Sequence, residues 1–422
     1  MILKTLNPIS AVSTILAISL LAGCSSSTEP ETTATVADSD AGDGMATATP
    51  AAEPVAEEVA ESSPALPPDE IPTFSTEHLT SKGFFYAGGE YVGDPPIMGG
   101  HMYVEVWEPR EATQPYPLVM FHGNGQTGFD WLVTPDGRAG WAYYLVEQGY
   151  TLYMVDYPAR GRSTYIPGGE HGDLGIRTAE QLERIWTNVG EKGNFPLNDN
   201  HTQWPGDGNR GDPVFDNFIR TQVQFAGRST EMARFAAMDL LDTIGQPVVL
   251  LTHSQGGGVG WGVADGRPDL VRGIVTVEPG GPQIGNVSTA EVAYSGRPAN
   301  AWGPVNYPLT YDPPVSDPAE LVTSLEDEGD QPGEVPCYLQ EDPARQLVNM
   351  ADMRVLALSA DGTYHRVFDA CIPKWLNQAG VETDFVRLED VGVSGNGHMM
   401  MLELNSDDVI AYIHDWIQNN IE

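Results

Sequence analysis

Leu251-Thr252-His253-Ser254-Gln255-Gly256-Gly257, which follows the apolar run 247–250, reads as a buried strand ending in a sharp turn with a serine at its tip. A helix that begins in the glycines directly after Ser254 forces the serine into a backbone conformation that most residues avoid. The positions two before and two after it must then be small, because strand and helix backbones meet there. Gly256 satisfies this, whereas Thr252 is larger than the glycine that would fit best. A five-residue pattern with one relaxed position recurs by chance, so the flanking elements must decide what it means.

Upstream, residues 116–121 are a nearly unbroken apolar run, as in a central parallel strand, while 100–107 alternates like a strand nearer an edge. After Phe121 come His122-Gly123-Asn124-Gly125-Gln126-Thr127-Gly128, a predicted helix over 141–148 stopped by Gly149, and a predicted strand over 150–155 ending at Asp156. Strand, helix and strand at this spacing form a βαβ unit. Downstream, the pattern predicts a helix over 229–244, strands over 273–278, 353–358 and 381–388, and a closing helix over 407–421 with Val409, Ile410, Ile413, Trp416 and Ile417 on one side. Two stretches interrupt the alternation. Residues 162–228 read as an inserted cap, with a helix over 179–189 in which Thr178 and Gln181 have capping-box spacing and Leu182, Ile185, Trp186 and Val189 share a face. Residues 279–342, rich in Pro and Gly, read as irregular loop lining the mouth of a site.

With the serine turn in the middle, this order of elements resembles the α/β-hydrolase fold: an α/β architecture with a mostly parallel central sheet flanked by helices and an inserted cap. The resemblance spans residues 80–422 and implies a hydrolase domain over 73–422. Ser254 then stands at the nucleophile elbow. A serine hydroxyl is a poor nucleophile at neutral pH and needs a base, which in turn needs an acid to fix its tautomer. The family order of serine, acid, histidine leaves His365, His398 and His414 among the nine histidines. His414 falls inside the last helix, and His365 follows Asp361 too closely to be its partner. His398, in Gly395-Asn396-Gly397-His398-Met399-Met400, lies in the glycine loop where the fold delivers its base.

The acid has two candidates. Asp361, after the strand 353–358, occupies the commoner family position. Glu278 closes the preceding strand only 24 residues after Ser254, and a carboxylate that ends an apolar strand there needs a partner. The chain is most similar to a group of bacterial esterases whose triad runs Ser-Glu-His, with a Gly-Asn-x-His-Met-Met loop, which puts Glu278 first and Asp361 as the alternative. For the oxyanion hole, the resemblance implies the backbone N–H of Gln255, at the start of the elbow helix, and that of Asn124, with Gly125 one residue away. His122 and His253 read as structural. Trp131, Trp141, Trp261 and the Met399-Met400-Met401 run are candidates to line an apolar pocket, although residues of these types are more often core.

The expected function is a carboxylic ester hydrolase working through an acyl-enzyme on a small to medium ester. The alternatives are a lactonase or peptidase using the same triad, or a silent hydrolase-fold binding protein. No cofactor is expected. No His or Cys cluster has metal-ligand spacing, and the run Gly256-Gly257-Gly258-Val259-Gly260 reads as close helix packing rather than a dinucleotide loop.

Composition bounds the setting. Lys4 is the only charge before the apolar stretch 9–22, and Leu21-Ala22-Gly23-Cys24 follows. This resembles a bacterial lipoprotein signal: residues 1–23 removed, Cys24 lipidated, and Ser25 directing the product to the outer membrane. The alternative is an ordinary secretory signal in which Cys24 is incidental. Residues 24–72 are rich in Ala, Thr, Ser, Pro and Glu and cannot bury a core, which makes them a disordered acidic tether. The net charge of −38 is carried mostly by the folded part, where 48 acidic side chains face 20 basic ones over residues 73–422. Such a surface repels phosphates and excludes nucleic acid as a partner; it suits salty water or simply keeps the protein soluble. Membrane contact is expected only through the lipid on Cys24, and no sequence feature sets an oligomeric state. In an exported protein Cys337 and Cys371 are expected to form a disulfide, two free buried thiols being the alternative.

Overall fold

Eight strands make the central sheet of the computed structural model, which describes residues 46–47, 71–169, 171–298 and 300–422. They are β1 (Leu79–Ala87), β2 (Met102–Pro109), β3 (Leu118–Phe121), β4 (Leu152–Asp156), β5 (Val248–His253), β6 (Val271–Val277), β7 (Arg354–Ser359) and β8 (Glu382–Arg387), laid side by side as 1-2-4-3-5-6-7-8. Strands β3 to β8 run parallel, and β1 and β2 join antiparallel at one edge. The burial patterns follow from these places. β3 and β5 lie inside the sheet and are buried at every residue, while β1, at the edge, exposes Phe84 and Tyr86.

Helices cover both faces. α1 (Trp141–Glu147) and the C-terminal α5 (Ser406–Asn420) pack with Met120, Leu152, Leu251 and Val275. On the opposite face α2 (Ser229–Ile244) and α3 (Gln255–Gly266) pack with Val119, Phe121, Leu250 and Ile274. Successive strand residues thus serve two cores, as period-two alternation dictates. Each fully buried branched side chain contributes about 1.5–3 kcal/mol. A further helix, α4 (Cys371–Gln378), precedes β8.

Register positions the chemistry. Thr252 of β5 pairs with Phe121 of β3 and Thr276 of β6, and Val277 pairs with Leu358 of β7. The carboxyl ends of four adjacent strands are therefore level, and the residues that follow them, His122, Ser254, Glu278 and Ala360, share one edge.

Elements beyond the sequence reading include β1, α4, and a cap helix Pro213–Thr221 capped by the Asp212 side chain with Pro213 in its first turn. The predicted cap helix is present, with Thr178 and Gln181 forming the capping box, and it passes into a π turn over Glu183–Thr187 that buries Trp186. The stretch read as irregular contains two small hairpins, Gly285–Ser288 with Ala293–Pro298, and Thr323–Leu325 with Tyr338–Gln340. Cys337 and Cys371 are bonded, with Cα atoms 5.1 Å apart, tying that stretch to the start of α4. Residues 1–23 and Cys24 lie outside the described residues. Of the segment read as a tether, Ala46–Thr47 pairs with Leu174–Ile176 of the cap. Among the described residues no helix is long and apolar enough to cross a membrane.

Candidate active site

Ser254 sits between β5 and α3 at φ 52°, ψ −121°, outside the regions ordinary residues occupy, a strain of about 1–3 kcal/mol that the surrounding packing must hold. A Cβ on Gly256 would lie 2.6 Å from the Phe121 carbonyl oxygen, so only glycine lets the elbow helix meet the end of β3. The larger Thr252 is accommodated from the helix side: a Cβ on Gly260 would come within 2.9 Å of its methyl group. Its hydroxyl donates to Thr276 Oγ1 at 2.8 Å. The glycine needed before the serine has in effect moved onto the facing helix.

Glu278 leaves the end of β6 with φ 45° and is fully buried. Its Oε1 accepts the Ala360 N–H at 3.0 Å; its Oε2 accepts the Thr363 hydroxyl at 2.9 Å and lies 2.6 Å from His398 Nδ1. Burial and the nearby Asp369 push this carboxyl up, and the Ala360 and Thr363 donors pull it back. Burial holds His398 well below the ordinary imidazole value, and His365, His253 and Arg177 add to the effect. A neutral ring with its proton on Nδ1 facing Glu278 leaves the lone pair on Nε2, a buried atom with no hydrogen-bond partner among the described residues. His253, next to the serine, packs its ring 4.6 Å from that of His398 and contacts the His398 carbonyl through Nε2 at 3.0 Å, which brings His398 beside the elbow.

The other carboxylate candidate lies elsewhere. Asp361 Oδ1 accepts the Gly395 N–H at 2.8 Å and so holds the loop that carries His398. His365 pairs with Asp369 at 2.8 Å, and His414 contacts the Tyr150 hydroxyl at 3.0 Å. His122 is buried with Nδ1 against the Gly123 carbonyl and its ring 4.0 Å from that of Tyr157; burial pushes it down to about 3.

Gln255 opens α3, and Asn124 follows β3 in the adjacent loop. A residue not singled out in the sequence links the two segments. The Arg160 guanidinium is buried and donates to the Gly123 carbonyl at 3.0 Å, to Gln255 Oε1 at 3.0 Å and to Ser229 Oγ at 2.9 Å. Its signal was its place just beyond β4, at the same sheet edge as the serine.

The segment read as a cap covers His398: Trp186 stacks on it with ring centres 5.8 Å apart. Trp131, Trp141, Trp261 and Met399 to Met401 are buried in the two cores. A cavity of about 480 Å³ is instead bounded by Ala159 to Tyr165, Leu174, Val223 and Gln224, and the stretch 279–342 contributes nothing to it. Val223 donates its N–H to the Gly125 carbonyl at 2.8 Å, so the cavity wall adjoins the loop after β3.

Glu278, His365 and His398 each offer a potential metal ligand atom, all within 4.8 Å of one another. The His365 and His398 rings stack at 19°, however, so their lone pairs lie in nearly parallel planes instead of converging, and both Nδ1 atoms already face carboxylates. The donor set fits an imidazole–carboxylate hydrogen bond better than a cation.

Comparison with known proteins agrees with the fold. A family profile described as alpha/beta hydrolase fold matches residues 116–300. The chain is 39% identical over 339 residues to phiG, named a probable secreted lipase, from a fungal species (strain ATCC 74256), covering 79% of this chain and 89% of that protein. A solved structure described as a novel bacterial esterase superposes with a TM-score of 0.55 at 22% identity, over 83% of this chain and 98% of the other.

Proposed function

The chain belongs to the α/β-hydrolase family, and on that premise we propose that it is a serine carboxylic ester hydrolase with Ser254 as nucleophile, His398 as base and Glu278 as the acid that orients it. The observation that carries this reading is the 2.6 Å Glu278–His398 pair, which leaves His398 Nε2 without a hydrogen-bond partner among the described residues, beside the serine turn.

The chemistry follows from the proton inventory. Ser254 Oγ attacks the ester carbonyl as His398 Nε2 takes its proton, and Glu278 stabilises the imidazolium across Nδ1. The oxygen of the tetrahedral intermediate receives the N–H groups of Gln255 and Asn124; one such donor is worth roughly 10²–10³ in rate. Collapse expels the alcohol, which takes the proton back from His398, and leaves an acyl-Ser254. Water, deprotonated by His398 in its turn, releases the acid and restores the serine. Arg160, joined to Gly123 and Gln255, keeps the two oxyanion segments in register.

The name of the fungal relative supports a carboxylic ester substrate, and Trp186 lying over His398 supports a small to medium one. The same relative's secretion supports export, to which the reading adds removal of residues 1–23, lipid on Cys24 and a tether over 24–72. Turnover of a p-nitrophenyl ester series by the wild type and by Ser254→Ala tests the reaction. Hydrolysis that peaks at short or medium acyl length and is abolished in Ser254→Ala supports it, and equal turnover by both proteins refutes it. Detergent partitioning of the wild type but not of Cys24→Ala tests the anchor.

A further inference from the structure

A second imidazole and a second carboxylate lie against the base and take no part in the reaction derived above. The His365 ring stacks on that of His398, with centres 4.5 Å apart and planes 19° apart. Its Nδ1 is 2.8 Å from Asp369 Oδ1, and both residues are buried. Its Nε2 is also buried, with no hydrogen-bond partner among the described residues. An imidazolium at this position would bury a charged N–H that nothing accepts. A neutral ring with its proton on Nδ1 leaves only a lone pair there, at much smaller cost. The Asp369 carboxyl, which burial pushes up and His365, Ser359 and Arg366 pull back, sits at the edge of the ring that stacks on His398.

On the serine-hydrolase reading given above, we propose that His365 and Asp369 are a positioning pair acting through His398: the His365 ring fixes the plane of the base, and the Asp369 carboxylate stabilises the imidazolium formed when His398 takes the Ser254 proton. The charged and titratable groups facing His398 come from several elements. Glu278 reaches it from the turn after β6, His253 from the end of β5, His365 and Tyr364 (ring centres 5.2 Å apart) from the segment after β7, and Arg177 from the segment read as the cap, while Arg366 faces Asp369. Asp369 and Glu403 act on the same cluster through Glu278. Arg177 opposes the imidazolium, while Glu278 and Asp369 favour it. Glu278 meets His398 directly at Nδ1, whereas Asp369 meets the edge of the stacked His365 ring at that ring's own Nδ1.

The test is the pH dependence of kcat/KM and of covalent labelling of Ser254 by a fluorophosphonate, in the wild type, Asp369→Asn, His365→Phe and the double variant, with each melting temperature recorded. Removing the Asp369 charge makes the imidazolium harder to form. The acid limb of both profiles should move to lower pH by about one unit, and the plateau should fall several-fold because a weaker base transfers the proton less readily. His365→Phe should act in the same direction, because an Asp369 that has lost its donor takes up a proton, and the double variant should add nothing. A well-folded Asp369→Asn whose acid limb superimposes on the wild type overturns the proposal. So does an imidazolium at His365 in the wild-type protein across the active pH range, read from its ring ¹⁵N shifts, a measurement that needs no variant to fold. Absence of labelling in the wild type would instead remove the serine-hydrolase reading itself.

Discussion

Glu278 and His398 are 120 residues apart in the chain and 2.6 Å apart in the fold. Their meeting depends on the level carboxyl ends of β6 and β7: the Ala360 N–H beyond β7 donates to Glu278, and the Gly362 N–H donates to the Asn396 carbonyl at 2.8 Å, which draws in the loop carrying the imidazole.

Replacing Glu278 with Gln keeps the shape but presents an amide to His398 Nδ1 and removes the charge that holds the productive tautomer. A fall of about 10⁴ in kcat is expected, the size seen where the orienting acid of a triad is neutralised. Asp361→Asn, by contrast, alters only a hydrogen bond to Gly395, and kcat should stay within roughly tenfold of the wild type. Steady-state kinetics on the two variants separate the roles, and the reverse ranking would transfer the acid to Asp361.

Gly256→Ala puts a methyl group 2.6 Å from the Phe121 oxygen and 3.1 Å from the His122 oxygen. Those carbonyls begin the loop that carries Asn124. Overpacking here should cost about 1–3 kcal/mol of stability and lower kcat more than it raises KM, as calorimetry and kinetics on one preparation would show.

The Cys337–Cys371 bond closes a loop with a sequence separation of 34. Replacing both cysteines with Ala should lower the unfolding free energy by roughly 3 kcal/mol. Denaturant titration of the double variant checks this, and mass spectrometry without reductant should find neither thiol alkylated in the wild type.

Asp130 is buried, its Oδ2 has no hydrogen-bond partner among the described residues, and burial together with the neighbouring Asp156 pushes its carboxyl up to about 8. The folded protein therefore holds a proton that the unfolded chain releases above the ordinary value of 3.8. The stability this contributes is complete below that value and is lost as the pH rises through about 8. Asp130→Asn should flatten the decline in melting temperature as the pH rises from about 4 to about 8. A variant as sensitive to alkali as the wild type would show that Asp130 does not hold the proton.

What could be read in the sequence was whatever depends on local pattern. Ser254 announced itself by the strand before it and the glycines after it. Glu278 stood out as a candidate because a carboxylate closing an apolar strand needs a partner, and resemblance to the Ser-Glu-His esterases ranked it first and pointed to His398 in the glycine loop after the last strand. Contacts between distant segments were not legible. Arg160 meets Gln255 across 95 residues, and His201 Nε2 meets Glu403 across 202, at 2.8 Å; no periodicity encodes either. Strand β1 escaped because its edge position leaves it half solvated, so no clean alternation marks it. The cap helix Pro213–Thr221 did have a signal, Asp212 and Pro213 ahead of Phe215 and Phe218, but glycine-rich surroundings masked it. Thr252 counted against the elbow only because its compensating partner, Gly260, lies on the facing helix.

The most direct measurement is intact-mass and peptide analysis after incubation with a fluorophosphonate. One adduct is expected, on Ser254, formed rapidly by the wild type and lost or slowed by orders of magnitude in His398→Ala and Glu278→Gln. No adduct on a folded, melting-competent wild type, or an adduct on Ser254 whose rate is indifferent to His398, would contradict the account.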